Sequence, residues 1–595
     1  MKEVPSRNQV AVEDQWDLSP LFEDAEAWEK AFLRWEKKIP QYASFRGTFS
    51  RGADALAACL RFHFAFSRQG ERLGTYASLK VAEDAGNADS QKRYGRFMNV
   101  ASRAGQEASF MAPEVLSLSM KTLRGYLDDR KMAPYRLWLE RLMEEKPHTL
   151  GEKEEKLLAM QAEMERTADN VFDQLTDVDM KFGSVKDHEG NVVELSHATY
   201  ASLLFGPRRA VRKNAFLRYY QTFDDHKNTL AAVYAGGVQR DVYQAKARKF
   251  GSSLEAVLFG ERIPSQVYDQ LIASVRAALP ELHAYYQIRQ KMMKLSDLHM
   301  YDVYVPMFQD AKVNFPWDEA VRMVLEATRP LGEDYVATLE RGLKQERWCD
   351  RYENRGKASG AFSCGSYDGM PYILMNYQSD VRDSVFTLAH EAGHSMHSYY
   401  SAKHQPFPYY NYELFVAEVA STFNEQLLHH YLLEQCKTKR ERQSLANRQI
   451  DAIRSTIFRQ TMFAEFERDV HAAAEAGEAL TLELFRSIYA RLLRDYFGPD
   501  FALDEVLSLE CLRIPHFYHA FYVYKYATGL SAAIALSRRV LSGGDRERKD
   551  YRKFLSGGGS QTPLELLKMA GVDMRSPEPV EQAMQMFREL VRSLE

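Results

Sequence analysis

Cysteine is scarce in this chain, with five among 595 residues: Cys59, Cys349, Cys364, Cys436 and Cys511. They are odd in number, scattered, and never spaced as C-x-x-C, which argues against a disulfide framework and for reduced thiols. Long apolar runs are also missing. No stretch of 18 apolar residues occurs, and the first residues are polar and acidic where a secretory leader would be apolar, so a cytoplasmic protein without a membrane partner is expected. Charge of a single sign is lacking too: 78 Lys and Arg stand against 82 Asp and Glu, a net charge of −4 with no dominant basic block. Nucleic acid is therefore not an expected partner. No repeat period or low-complexity tract is evident, and Ser556-Gly557-Gly558-Gly559-Ser560 lacks the lysine and strand context of a phosphate loop, so a flexible connector is expected there.

What is present is a soluble composition, 45% hydrophobic and 27% charged, in a chain too long for one core. Leu157, Leu158, Met160, Met164, Ala168, Val171, Phe172 and Leu175 recur at helical spacing, and Met180 to Leu195 has the pattern of a hairpin turning at Glu189-Gly190-Asn191. A boundary near residue 200 is expected, with a helical N-terminal domain over 1–200 and a longer domain over 201–595.

The longer region contains His390-Glu391-Ala392-Gly393-His394. Val381, Val385, Leu388, Ala389, Ala392 and Met396 give the flanks helical spacing. On a helix, two histidines four apart lie on one face, and both imidazoles reach one Zn²⁺ at about 2.0–2.1 Å. Glu391 is then placed to work on a metal-bound water. His397 shares that face, but three ligands from one straight helix do not readily surround a tetrahedral ion, so His397 is assigned to the second shell or the cleft wall. A metzincin continuation is excluded, because positions 397 and 400 are His and Tyr.

A carboxylate on a following helix is the other solution, and Glu413 and Glu418 compete for it. Glu418 is preferred because its segment carries Leu414, Phe415, Val419, Phe423 and Leu427 toward a core. The same face carries Glu425 two turns on, where a carboxylate can orient a ligand histidine through its far nitrogen.

With these residues the chain resembles the M3 family of zinc metallopeptidases, the thimet oligopeptidase group, and most closely its oligoendopeptidase F branch. The resemblance rests on His390 to His397, on Glu418-Val419-Ala420-Ser421, and on Trp16 to Phe22, Pro371 to Tyr377, Ile514 to Tyr518 and Phe521 to Gly529. It spans nearly the whole length. One departure is Ala420, where thimet oligopeptidase has proline. The resemblance implies His390, His394 and Glu418 as ligands of one zinc per chain, Glu391 as general base, and a mainly helical, elongated molecule. It further implies a deep channel, a small sheet beside the zinc helix, and short unfolded peptides as substrates.

An oxyanion needs donors beyond the metal. The segment Pro515 to Tyr526 is rich in them, and the resemblance places a histidine and a tyrosine from this region over the zinc. His516 with Tyr522 or Tyr526 is the expected pair, on a helix started by Pro515. Pro371 to Tyr377 alternates as a strand, expected to be an edge that holds an extended peptide, with Gly360, Tyr372 and Tyr524 assigned to peptide contact. The competing activities are a carboxypeptidase or dipeptidyl carboxypeptidase on the same scaffold, and a non-catalytic peptide-binding protein.

Overall fold

The computed structural model describes residues 3–308 and 314–594. The chain forms two compact units, each assembled from three stretches: Met1–Glu152, Lys312–Tyr431 and Leu536–Gly571 in the first, and Lys153–Ala311, Leu432–Ala535 and Val572–Glu595 in the second. A single cut near residue 200 does not describe this division, because local patterning gives no sign of which distant segments return to which core. Both units are mainly helical, and among the described residues no helix is long and apolar enough to cross a membrane.

The first unit opens with helices α1 (Ala25–Glu36), α2 (Ala53–Glu83) and α3 (Ala88–Ala108). Trp28, Phe32 and Trp35 of α1 are buried in one cluster with Leu56, Leu60 and Phe66 of α2, and the Trp35 and Phe66 rings stack at 4.8 Å. A three-stranded sheet follows, of β1 (Cys349–Asp350), β2 (Phe362–Cys364) and β3 (Tyr372–Leu374). Its order is β1-β3-β2, with Cys349 opposite Ile373 in parallel and Ser363 opposite Ile373 in antiparallel register.

This order corrects the expectation that the Pro371 to Tyr377 segment is an edge. β3 is central, paired on both sides, and Tyr372 is 0% exposed, its ring edge-on to Trp16 at 6.2 Å. Tyr372 is therefore a core residue, not a peptide contact. Trp16 in turn donates its indole N–H to Glu83 at 2.8 Å, so the Trp16 to Phe22 segment packs under the sheet. The half-buried free edge is β2, entered through Gly360 at φ +77°, whose carbonyl accepts Asn376 Nδ2 at 2.9 Å.

Beyond the sheet run α4 (Arg382–His404) and α5 (Leu414–Gln435). The triple glycine at 557–559 braces the chain between them. It is buried rather than a flexible connector: a Cβ on Gly558 would meet Tyr409 O at 2.3 Å and one on Gly559 would meet Asn411 O at 2.5 Å. The Gly559 N–H also donates to Tyr409 O at 2.8 Å. Only glycine permits backbone to lie against backbone in this way.

In the second unit the expected hairpin is present, as antiparallel Ser184–Lys186 and Val192–Glu194. Its turn is held by Asp187 Oδ1, which accepts the N–H groups of Glu189, Gly190 and Asn191. The preceding segment is helical, but only part of its apolar pattern is covered. Leu158 and Phe172 are buried, whereas Leu157, Met160 and Met164 are more than 60% exposed. The core of this unit lies among helices such as Lys227–Ala247, Ser265–Ala277, Arg459–Glu475 and Leu482–Phe497, where Tyr234, Tyr268, Phe466 and Tyr489 are all buried. Glu510, buried among Arg459, Arg513 and Tyr489, fastens the chain just before Pro515: it accepts from Arg459 at 2.5 Å, Tyr489 at 2.6 Å and Arg513 at 3.0 Å.

Candidate metal centre

Helix α4 buries Val385, Leu388, Ala389, Ala392 and Met396, a spacing that leaves His390 and His394 side by side with rings 4.9 Å apart. Helix α5 crosses α4 at Gly393. A Cβ there would lie 2.4 Å from Ala420 O and 2.6 Å from Ser421 Cα, so the crossing is backbone to backbone and only glycine allows it. That close approach carries Glu418 to the histidines. Its Oε2 is 3.4 Å from His390 Nε2 and 3.6 Å from His394 Nε2, and the three donor atoms lie within 4.8 Å of one another. Glu413, the alternative, is not part of this cluster.

Gly393→Ala is expected to push the two helices apart, because the clashing atoms are main chain and cannot swing aside. A cost of about 1–3 kcal/mol in stability is expected from such overpacking. Thermal denaturation with and without metal should show both a lowered Tm and a reduced metal-induced stabilisation.

Glu425 lies on the same face of α5 and accepts from His390 Nδ1 at 2.7 Å. The Nδ1 proton being committed to that bond, Nε2 is the nitrogen that faces Glu418 and is left to bind a metal once it gives up its proton. Burial disfavours the His390 cation, but the Glu425 hydrogen bond and then the charges of Glu425, Glu391 and Glu418 outweigh it and raise its pKa to about 9. Glu418 shows the converse: burial pushes it up, yet its hydrogen bond to His394 and the charges of His394 and His390 bring it to about 2.

The sign for metal binding follows. Below about pH 9 the metal-free protein holds a proton on His390 that a metal ion must displace, so apparent affinity rises with pH, by about tenfold per unit for one proton. Glu425→Gln removes the charge that sustains this proton and leaves only a weaker, neutral acceptor to orient the ring. Competition against a chelator from pH 6 to 9 should show a flatter pH dependence, and at pH 9 an affinity weaker by about 10–100-fold.

Glu391 is not one of the three clustered donors and is 6% exposed. Its Oε2 is buried without a hydrogen-bond partner, and burial, as the largest influence, holds its carboxyl above the ordinary range. A half-open triangle of two imidazoles and a carboxylate, with an unpartnered carboxylate beside it, suits a divalent ion that keeps one position for water. The donor set fits zinc.

His397 departs from its expected place. It is 0% exposed, stacks on Tyr412 at 3.6 Å and packs against Phe554, and neither ring nitrogen has a hydrogen-bond partner. Burial lowers its pKa to about 3, so it is a neutral core residue and neither second shell nor cleft wall. Cys364 on β2 is pushed up to about 11 by burial, which keeps it a protonated thiol and not a nucleophile. Beside it the sheet is tied to α4: Ser363 Oγ lies 2.9 Å from Ser395 Oγ, and Ser395 also donates to Pro371 O at 3.2 Å.

The remaining predicted site residues belong to the second unit. Pro515–Tyr518 is one 3₁₀ turn and the helix begins only at Tyr524, so the continuous helix expected from Pro515 is interrupted. His516, Tyr522 and Tyr526 nevertheless gather, with His516 Nε2 3.2 Å from Tyr526 Oη and the Tyr522 ring 6.0 Å from His516 and 5.5 Å from Tyr526. Burial lowers the pKa of His516, favouring the neutral imidazole. Tyr524 turns the other way. It is 0% exposed, packed on Tyr268 at 5.1 Å, and so is not a peptide contact. Sequence reasoning missed Gly393 and the buried Glu467 described below; an isolated glycine inside a helical pattern was the only local signal for the first.

Comparison with known proteins follows the same lines. The family model for peptidase family M3 matches residues 202–586, and that for oligopeptidase F matches residues 114–182. Oligopeptidase PepF of Bacillus subtilis is 42% identical over 100% of this chain and 88% of its own. An oligoendopeptidase F homolog of Borreliella burgdorferi is 38% identical over 98% of both. Among solved structures, a chain from Chlamydophila abortus superposes with a TM-score of 0.94 at 36% identity, covering 100% of this chain and 99% of that one. Oligoendopeptidase-F from Enterococcus faecium does so with a TM-score of 0.75 at 33% identity, covering 96% and 98%.

Proposed function

The chain belongs to peptidase family M3, and from that membership we propose a zinc endopeptidase of short unfolded peptides in which His390, His394 and Glu418 hold the ion and Glu391 is the general base. Its relatives are an oligopeptidase matched over 88% of its length and oligoendopeptidases matched over 98% of theirs, and the chain is an oligopeptide-cleaving metalloendopeptidase. The observation that supports the residue roles is the convergence of three donors beside a buried carboxylate oxygen with no partner. The family match over 202–586 supports reading 201–595 as the catalytic region.

His390, His394 and Glu418 would hold the zinc, which when bound would supply an acidified water and a Lewis acid for the scissile carbonyl. Glu425 keeps His390 in the tautomer that offers Nε2. Glu391 accepts a proton at Oε2 from the attacking water and returns it to the leaving amine nitrogen. An extended peptide adds to the free edge of β2 through main-chain hydrogen bonds, which gives affinity with little sequence selection. His516 with Tyr522 or Tyr526 donates to the developing oxyanion, a role drawn from the resemblance of this segment to the family.

The test is hydrolysis of a short internally quenched peptide blocked at both ends, before and after chelation and with zinc restored. Chelator-sensitive cleavage that zinc restores is the expected result. A chain that loads zinc yet cuts only peptides with a free terminus would instead be an exopeptidase.

A further inference from the structure

Five described non-glycine residues have positive φ: Lys249, Arg262, Lys294, Arg347 and Phe521. Phe521, at φ +57°, is the buried one, and a bulky aromatic side chain in the left-handed region is an outlier that its surroundings must hold in place. Two groups on the helix Arg459–Glu475 do so. Glu467, 0% exposed, accepts the Phe521 N–H on Oε1 at 2.9 Å, while its Oε2 has no partner. One turn further, the His471 ring lies 4.6 Å from the Phe521 ring, which meets Tyr268 edge-on at 5.9 Å.

The consequence is a reversal of direction. Phe521 points into the core of its unit, and the next residue, Tyr522, is half-exposed and turned to His516 and Tyr526. The other end of the segment is fastened where Arg240 Nη2 donates to Tyr518 O at 3.1 Å. Around these anchors, His519, Tyr522 and Lys525 line an open cavity of about 540 Å³.

We propose that Glu467 is a positioning residue, which holds Tyr522 beside His516 and Tyr526 by pinning the left-handed turn at Phe521. The proposal rests on the reading that these three side chains serve the reaction. Burial raises the pKa of Glu467 well above the carboxylate range, in keeping with an uncharged acid that accepts one bond through Oε1. Glutamine preserves that acceptor; methionine matches the length and has none.

The experiment compares Glu467→Gln and Glu467→Met with Tyr522→Phe, Tyr526→Phe and His516→Ala, all zinc-loaded, by kcat, KM and metal content on the blocked peptide. Glu467→Met is expected to lower kcat by about 100-fold with KM and metal content little changed, the effect of a misplaced group rather than a lost fold. Glu467→Gln should stay near wild type. Wild-type kcat in Glu467→Met, equal loss in both Glu467 variants, or a Glu467→Met chain that does not fold would each overturn the proposal, the last because Glu467 would then support the unit as a whole. Full activity in all three of the His516, Tyr522 and Tyr526 variants would overturn the underlying reading instead.

Discussion

Glu391→Gln is expected to lower kcat by about 10²–10⁴-fold while metal content stays at wild-type level, the range over which a positioned general base contributes. The expectation follows from geometry. Glutamine matches glutamate in shape, so the buried position on α4 stays filled and the donor triangle of His390, His394 and Glu418, to which Glu391 does not belong, is left intact. What glutamine lacks is the basic oxygen. Glu391 Oε2 is buried and has no hydrogen-bond partner, which frees it to take and return a proton. KM should change little, because Glu391 holds no substrate group in the ground state. Metal analysis paired with kcat decides the matter: near-normal turnover in a fully loaded variant would remove Glu391 from the mechanism.

Glu418→Ala is expected to act one step earlier, on the metal itself. Zinc sites bind with on the order of 10–16 kcal/mol, so loss of one of three protein ligands should remove about 3–5 kcal/mol, or about 10²–10⁴-fold in affinity. Without Glu418 the partner that draws His390 and His394 together is also lost, since its Oε2 stands 3.4 and 3.6 Å from their Nε2 atoms. Activity should fall with occupancy and return in part at high zinc concentration, which distinguishes this variant from Glu391→Gln, whose loss no added metal can repair. Glu413→Ala serves as the control and should bind zinc as the wild type does, because Glu413 lies outside the donor cluster. Loss of zinc from Glu413→Ala with retention in Glu418→Ala would reverse the ligand assignment.

Where the two kinds of information meet is clear from particular residues. The pairing of His390 with His394 was legible because residues four apart on a helix share a face whatever the rest of the chain does. The same periodicity brought Glu425 onto the face of Glu418, and alternation with a glycine turn gave the hairpin at 184–194. These are local regularities of backbone geometry, and the sequence by itself determined them, together with the identity of the groups able to bind a metal.

Tertiary structure decided the rest. Glu418 prevails over Glu413 because α5 crosses α4 at Gly393, a contact between segments 27 residues apart that no period encodes. Tyr372 is core because β1 and β2 both close on β3, and His397 is core because Tyr412 and Phe554 come to sandwich it. Tyr524 is core and not a peptide contact because it packs with Phe521 on Tyr268, and Phe521 takes a left-handed turn that a phenylalanine does not advertise and a buried glutamate 54 residues earlier sustains. Local spacing specifies which side chains share a face; which face is buried, and against what, depends on packing energies between segments far apart in the chain, and these exist only once the chain has folded.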